Sequence, residues 1–331
     1  MAPYRLLFRT SSAAAIALSA TIAIACNVPV FRYALERWRP DLCQVIVFHN
    51  GDLSTQQEQQ LQTLEKETEG NGGSANAEII RSSIGAEKDR GRKELWETLR
   101  AKPGIALPYV VMRTSLGTGE LVTHWSGPLG DAPEAKLFDS PARRELSRRL
   151  LTGDSVVWLM LKSEDTEKNR ATRDLLSTEL ERLGKSLKLP DGIGLPGSEL
   201  YSEVPLLLKF TVLEIDPKDP VEQLLVKLMS GFDPETKNEP LLAPVFGRGR
   251  ALEVLSATQL NAGLIEDLTM FLCGACSCQV KERNPGFDLL LATKWNLELY
   301  GEEGEVPAAV TSLERTPTKP TPLTIPPGRK R

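Results

Sequence analysis

QVIVFH (44–49) and SVVWLMLKS (155–163) are the stretches that most restrict what this chain can become. Each is a continuous apolar run rather than an alternating one, the pattern of a strand covered on both faces. A sheet built on such strands needs helices above and below it, so layered α/β units are expected. The neighbouring residues supply them. Ser54 can cap a helix through about Glu67, and a long helix is expected over about 166–187.

The rest of the chain extends this alternation twice. In the first half a short helix over 27–41 places Val30, Ala34 and Trp38 on one face, and Pro40 stops it. A flexible loop follows the second helix at 68–76. Then come a strand at 77–83, a helix at 88–101, strands at 107–114 and 120–127, and a helix opened by Asp139, Ser140 and Pro141 that ends before Gly153. In the second half the strand over 155–163 and its helix lead to a strand at 204–216 and a helix at 219–231. A hairpin at 239–255 turns on GRGR, and a helix follows over about 258–272. The halves share element order but no residue-level repeat. The reading is a tandem of two α/β domains, 26–153 and 154–300, with mixed sheets flanked by helices. A leader (1–25) precedes them, and a disordered proline-rich tail (301–331) follows.

Composition removes several classes of function. Of 331 residues, 41% are hydrophobic, and the formal net charge is -4, which gives no general pull toward nucleic acid. Two histidines, His49 and His124, are too few for a histidine-rich metal centre.

Arg5 and Arg9 precede SSAAAIALSATIAIA (11–25), an uncharged run too short to span a bilayer and of the length of an export signal. Ala23-Ile24-Ala25 is a small-residue cleavage sequence, and Cys26 follows at once. The same residues resemble a bacterial lipobox, in which that cysteine would carry lipid. An exported protein is expected, membrane-anchored in the cell envelope or periplasm through Cys26 and processed at the same bond on either reading.

With Cys26 set aside, the cysteines are Cys43, Cys273, Cys276 and Cys278, an even number in a compartment where disulfides persist. Cys273–Cys276 is the easier link within the cluster, and Cys278 could pair with Cys43; this structural clasp is the first reading. Three thiolates at 273, 276 and 278 could instead hold Cu(I), or Zn²⁺ with Cys43 as fourth ligand. Cys273 and Cys276 could also form a reversible redox pair, although the end of a helix opposes thiolate formation.

The order βαβαββα, with proline ahead of the third strand, resembles the thioredoxin fold. On that resemblance Leu107-Pro108 matches the loop with a cis proline, and Glu239-Pro240 the same feature in the second half. Thioredoxins carry Cys-x-x-Cys at the end of the first strand. Here His49-Asn50-Gly51-Asp52 and Lys162-Ser163-Glu164-Asp165 stand there instead, without a cysteine. The segments NVPVFRYALERW and CGACSCQVKERNPGFDLLL also resemble a family of exported bacterial proteins; this resemblance implies export and carries no activity. The expected function is binding or scaffolding in the envelope, with another envelope protein as partner and no cofactor. Thiol-disulfide or copper handling through the cysteine cluster is the alternative.

The remaining candidates read as structural. His49 with Asp52 could do acid-base work, but no nucleophile is anchored beside them, and Ser54 is better used as a cap. Arg248 and Arg250 in GRGR read as solvated residues of a hairpin turn. Arg143, Arg144, Arg148 and Arg149 read as the solvated face of a helix whose Leu146 and Leu150 point to the core.

Overall fold

β1 (Cys43–His49) and β5 (Val156–Leu161) form at the centres of two separate sheets, because their unbroken apolar sequence is satisfied only with cover on both faces. The computed structural model describes residues 26–116, 120–231, 238–277 and 279–302. In the first sheet β1 runs parallel to β2 (Ala77–Ser83) and antiparallel to β3 (Tyr109–Ser115), which pairs with β4 (Leu121–Pro128). The strand order is β2-β1-β3-β4. In the second sheet β5 runs parallel to β6 (Phe210–Ile215) and antiparallel to β7 (Leu241–Phe246). The two-residue strands β8 (Arg250–Ala251) and β10 (Phe287–Asp288) extend it, and β9 (Leu255–Ser256) pairs with β7. Both sheets therefore have one topology: a parallel central pair with an antiparallel hairpin beside it. These are two thioredoxin-like α/β arrangements in tandem.

Local chemistry sets the helix starts. Ser54 and Gln57 form a reciprocal capping box for α2 (Thr55–Glu67). Asp89 caps α3 (Arg90–Arg100), and Ser140 with Pro141 opens α4 (Pro141–Leu151). Asp165 accepts from two amides at the head of α5 (Thr166–Ser186), and Asn261 caps α7 (Ala262–Cys273). α6 (Gln223–Ser230) and α8 (Trp295–Tyr300) complete the set. The strand expected over 204–216 narrows to β6, because residues 204–209 lie outside the ladder with β5.

On the first sheet, α3 covers one face through Leu99, and α2 covers the other through Leu61 and Leu64. On the second, α5 and α7 share a face, while α4 and α6 cover the opposite one. The helices do not respect a boundary at 153. α1 (Val30–Arg37) packs on the second sheet with Trp158, Met160 and Phe246, and every one of its residues is buried. Leu146 and Leu150 carry α4 to the same sheet. The C-terminal segment crosses the other way: Leu290 enters the first sheet's core, and Asn76 hydrogen-bonds the backbone of Leu289 and Leu291.

Several further expectations change in the folded chain. The loop at 68–76 is ordered: the amides of Ser74 and Ala75 donate to Glu67, and Ala75 is fully buried. Leu107–Pro108 is a cis bond, and Glu239–Pro240 is not. The GRGR arginines are buried rather than solvated. Arg248 donates to the Leu35 and Glu36 carbonyls at the end of α1, and Arg250 to Asp288 and to the Asn284 and Pro285 carbonyls. Arg143 is also buried, bonded to the Leu137 and Lys136 carbonyls, while Arg148 and Arg149 pair with Glu145. The tail beyond Glu302 lies outside the described residues. Among the described residues no helix is long and apolar enough to cross a membrane.

Candidate functional site

The parallel strands β5 and β6 end side by side, and the chain leaves β5 into the head of α5. In an open α/β sheet, ligands gather beyond the carboxyl ends of such strands. Here an open cleft of about 380 Å³ lies at that place, lined by Lys162, Ser163 and Glu164 from β5's exit, Arg170 and Arg173 from α5, and Glu214, Asp216 and Lys218 from β6 and the turn after it. The first of these belong to the segment that the thioredoxin resemblance singles out.

Its floor is fixed and its walls are loosely held. Asn169 clamps the loop through Ser163, accepting from its amide at 2.8 Å and donating to its carbonyl at 2.9 Å. Asp165 is spent as the cap of α5. Lys168 pairs with Glu239, which ties α5 to the segment before β7. The charged rim is looser. Lys162 reaches Asp216 at 3.2 Å, whereas Lys218–Glu164 and Arg173–Glu214 stand at 3.6 Å. The Lys218 amide, and then the Lys162 ammonium, hold the Asp216 carboxyl below its ordinary pKa. Exposed pairs of this kind contribute little, so a ligand carrying both charge signs can replace them. Neither histidine lies in this half of the chain, so the Ser163 hydroxyl has no imidazole base beside it.

The equivalent place in the first sheet is different. The His49 ring donates through Nδ1 to the Gly51 carbonyl at 2.8 Å, Asp52 is exposed, and Ser54 serves as the cap. Arg81 bridges Glu58 and Glu65 beside them. The structure does not bring His49 and Asp52 together as a hydrogen-bonded pair.

The sulfurs are elsewhere and apart. Cys43 lies in the first sheet's core, where its Sγ donates to the Arg113 carbonyl at 3.2 Å; burial pushes its thiol up to about 11. Cys26, Cys273 and Cys276 lie in the second sheet's core, and burial pushes Cys273 up to about 12. Cys278 is outside the described residues. Among the described cysteines no pair is at disulfide distance, so the Cys273–Cys276 link expected from sequence is not formed here. The main chain makes the clasp instead. The Val30 amide donates to the Gly274 carbonyl and the Cys276 amide to the Val28 carbonyl, pairing the segment after α7 with the residues that lead into α1. Among the described residues no three metal-ligating side chains converge, and Cys43, in the other sheet's core, is remote from Cys273 and Cys276.

Lys162 to Asp165 were visible in the sequence as a position in a fold. Arg170, Arg173, Glu214, Asp216 and Lys218 were not. The available signal was the density of charge just past two apolar strands, with Arg170 and Arg173 spaced to share a helix face. Compared with protein-family models and with curated proteins, the chain matches none.

Proposed function

We propose that this chain is an exported binding protein, held in the cell envelope by lipid on Cys26, whose seat for another envelope protein is the cleft at the ends of β5 and β6. One observation carries the reading. Where a thioredoxin-like sheet would place its dithiol, this chain presents a polar cleft with exchangeable ion pairs, and its described cysteines are buried away from it. The leader at 11–25, the Ala23-Ile24-Ala25 sequence and the resemblance of NVPVFRYALERW to exported proteins support the location. On this reading a lipidated Cys26 turns its sulfur out of the core, and Asn27, whose amide donates to Ser198 Oγ at 2.9 Å, is the first fastened residue.

Thiol or copper handling is the second reading, favoured by the presence of Cys26, Cys273 and Cys276 in one core cluster. It requires that cluster to open, since a buried thiol at about 12 is not a thiolate at neutral pH.

A photo-cross-linking residue in place of Arg170, in cells of the native host, tests the binding reading, with the same residue in place of exposed Arg100 on α3 as control. A discrete adduct with one envelope protein from position 170, lacking from position 100, is expected. No adduct from 170 refutes the seat. Intact mass of the protein from native membranes tests export: the chain should begin at Cys26, and a retained Met1–Ala25 segment refutes processing.

A further inference from the structure

Between the two sheets lies a second cavity, of about 140 Å³, unrelated to the cleft just described. Four segments meet there: the linker after α1, the turn after α2, the GRGR turn and the start of α8. Its charge is one-sided. Arg39, Arg248 and Lys294 line it against a single acid, Glu69. The side chains of Arg39 and Lys294 make no ion pair or hydrogen bond among the described residues, and Glu69 makes no ion pair with any of the three. Arg248 is fixed in the wall. Its guanidinium is buried and spends three bonds on the Leu35 and Glu36 carbonyls and on Asn296 Oδ1, all between 2.7 and 3.0 Å.

Three cations gathered over a small cavity repel one another. An anion relieves the repulsion. A cavity of this size accommodates a tetrahedral or planar oxyanion. Arginine and lysine together suit oxygen-rich anions: the guanidinium offers paired donors, the ammonium a point charge.

We propose that this inter-sheet cavity is a binding site for a phosphate-class oxyanion, gripped by Arg39 and Lys294 against the fixed guanidinium of Arg248. The same chemistry is offered by free phosphate and by the phosphate of an anionic lipid headgroup. Because the four segments come from both halves, an occupant joins the two sheets.

The test is calorimetric titration of the full chain with inorganic phosphate, beside a second arm of phosphatidylglycerol vesicles against phosphatidylcholine vesicles. The proteins compared are the natural one, Arg39→Ala/Lys294→Ala and Glu69→Gln. Arg39, Lys294 and Glu69 are all exposed, so the variants should keep the thermal midpoint of the natural protein in phosphate-free buffer. Phosphate, or anionic vesicles if the source is lipid, should bind the natural protein. The double variant should bind at least about tenfold more weakly, and Glu69→Gln more tightly. Absence of binding in both arms overturns the site, and so does undiminished binding by the double variant.

Discussion

Glu36 is the acceptor on which the N-terminal helix depends. Its carboxylate, wholly buried, receives Arg32 Nε at 2.9 Å, Arg37 Nη1 at 3.0 Å, and the amides of Tyr201 and Ser202 at 3.0 and 3.1 Å. Both arginines reach onward to carbonyls at Ser202, Val204 and Glu199, so removing one carboxylate strands two buried cations and two amides. Glu36→Ala should cost about 3–5 kcal/mol, read as a fall in the urea midpoint. No change in that midpoint would mean that the network is incidental. His124 is the opposite case, a buried group without partners. It is the extra residue of a bulge in β4, neither ring nitrogen has a hydrogen bond, and burial pushes its pKa from 6.5 to about 4. The folded protein thus refuses a proton that the unfolded chain accepts. Its contribution to stability is complete above pH 6.5 and falls as the pH drops from there toward about 4, by at most about 3 kcal/mol. His124→Leu should flatten that part of the stability-pH curve, measured by urea unfolding across the window, and an unchanged slope would assign it to carboxylates.

Among the elements, those that were readable in advance owe their form to their own residues. β1 and β5 follow from continuous apolar runs, α2 from the Ser54 cap, and α4 from Ser140-Pro141. What sequence did not reveal is where α1 goes. Val30, Ala34 and Trp38 mark an apolar face, but the helix is buried on every side because Arg32, Glu36 and Arg37 find partners some 160 residues away. The burial of Arg248 has the same cause, since the carbonyls that accept from it come from α1. The cleft was legible only as Lys162–Asp165, because its other wall comes from the end of β6, and that proximity is a product of the parallel pairing. The GRGR turn fits under α1 only without a side chain at 247: a Cβ there would lie 2.6 Å from the Ala34 Cβ, at a φ of 59°. Gly247→Ala should cost about 2–4 kcal/mol through the left-handed backbone and the lost fit. Hydrogen exchange should rise first in α1, and uniform loosening of the second sheet would show that the contact is not local.

At the scale of the molecule, Asn76 joins the halves. It is 2% exposed, donates to the Asp41 and Leu289 carbonyls at 2.9 and 3.1 Å, and accepts from the Leu291 amide at 2.8 Å. Asn76→Ala should cost about 2–4 kcal/mol and split calorimetric unfolding into two transitions, whereas a single shifted transition would mean that the sheets remain one cooperative unit. Proteases should likewise spare the ordered loop at 68–76. The placement of α1 also has a consequence in time. A ribosome releases Val30 to Arg37 before any of the surfaces that bury them. Trp158, Phe246 and the Gly274–Cys276 segment come off more than a hundred residues later. The earliest part of the body is thus the last to find its place, and the second half cannot close until nearly the whole chain has been made. Such long-range closure slows folding, and it leaves the first helix without its packing partners until synthesis is nearly complete.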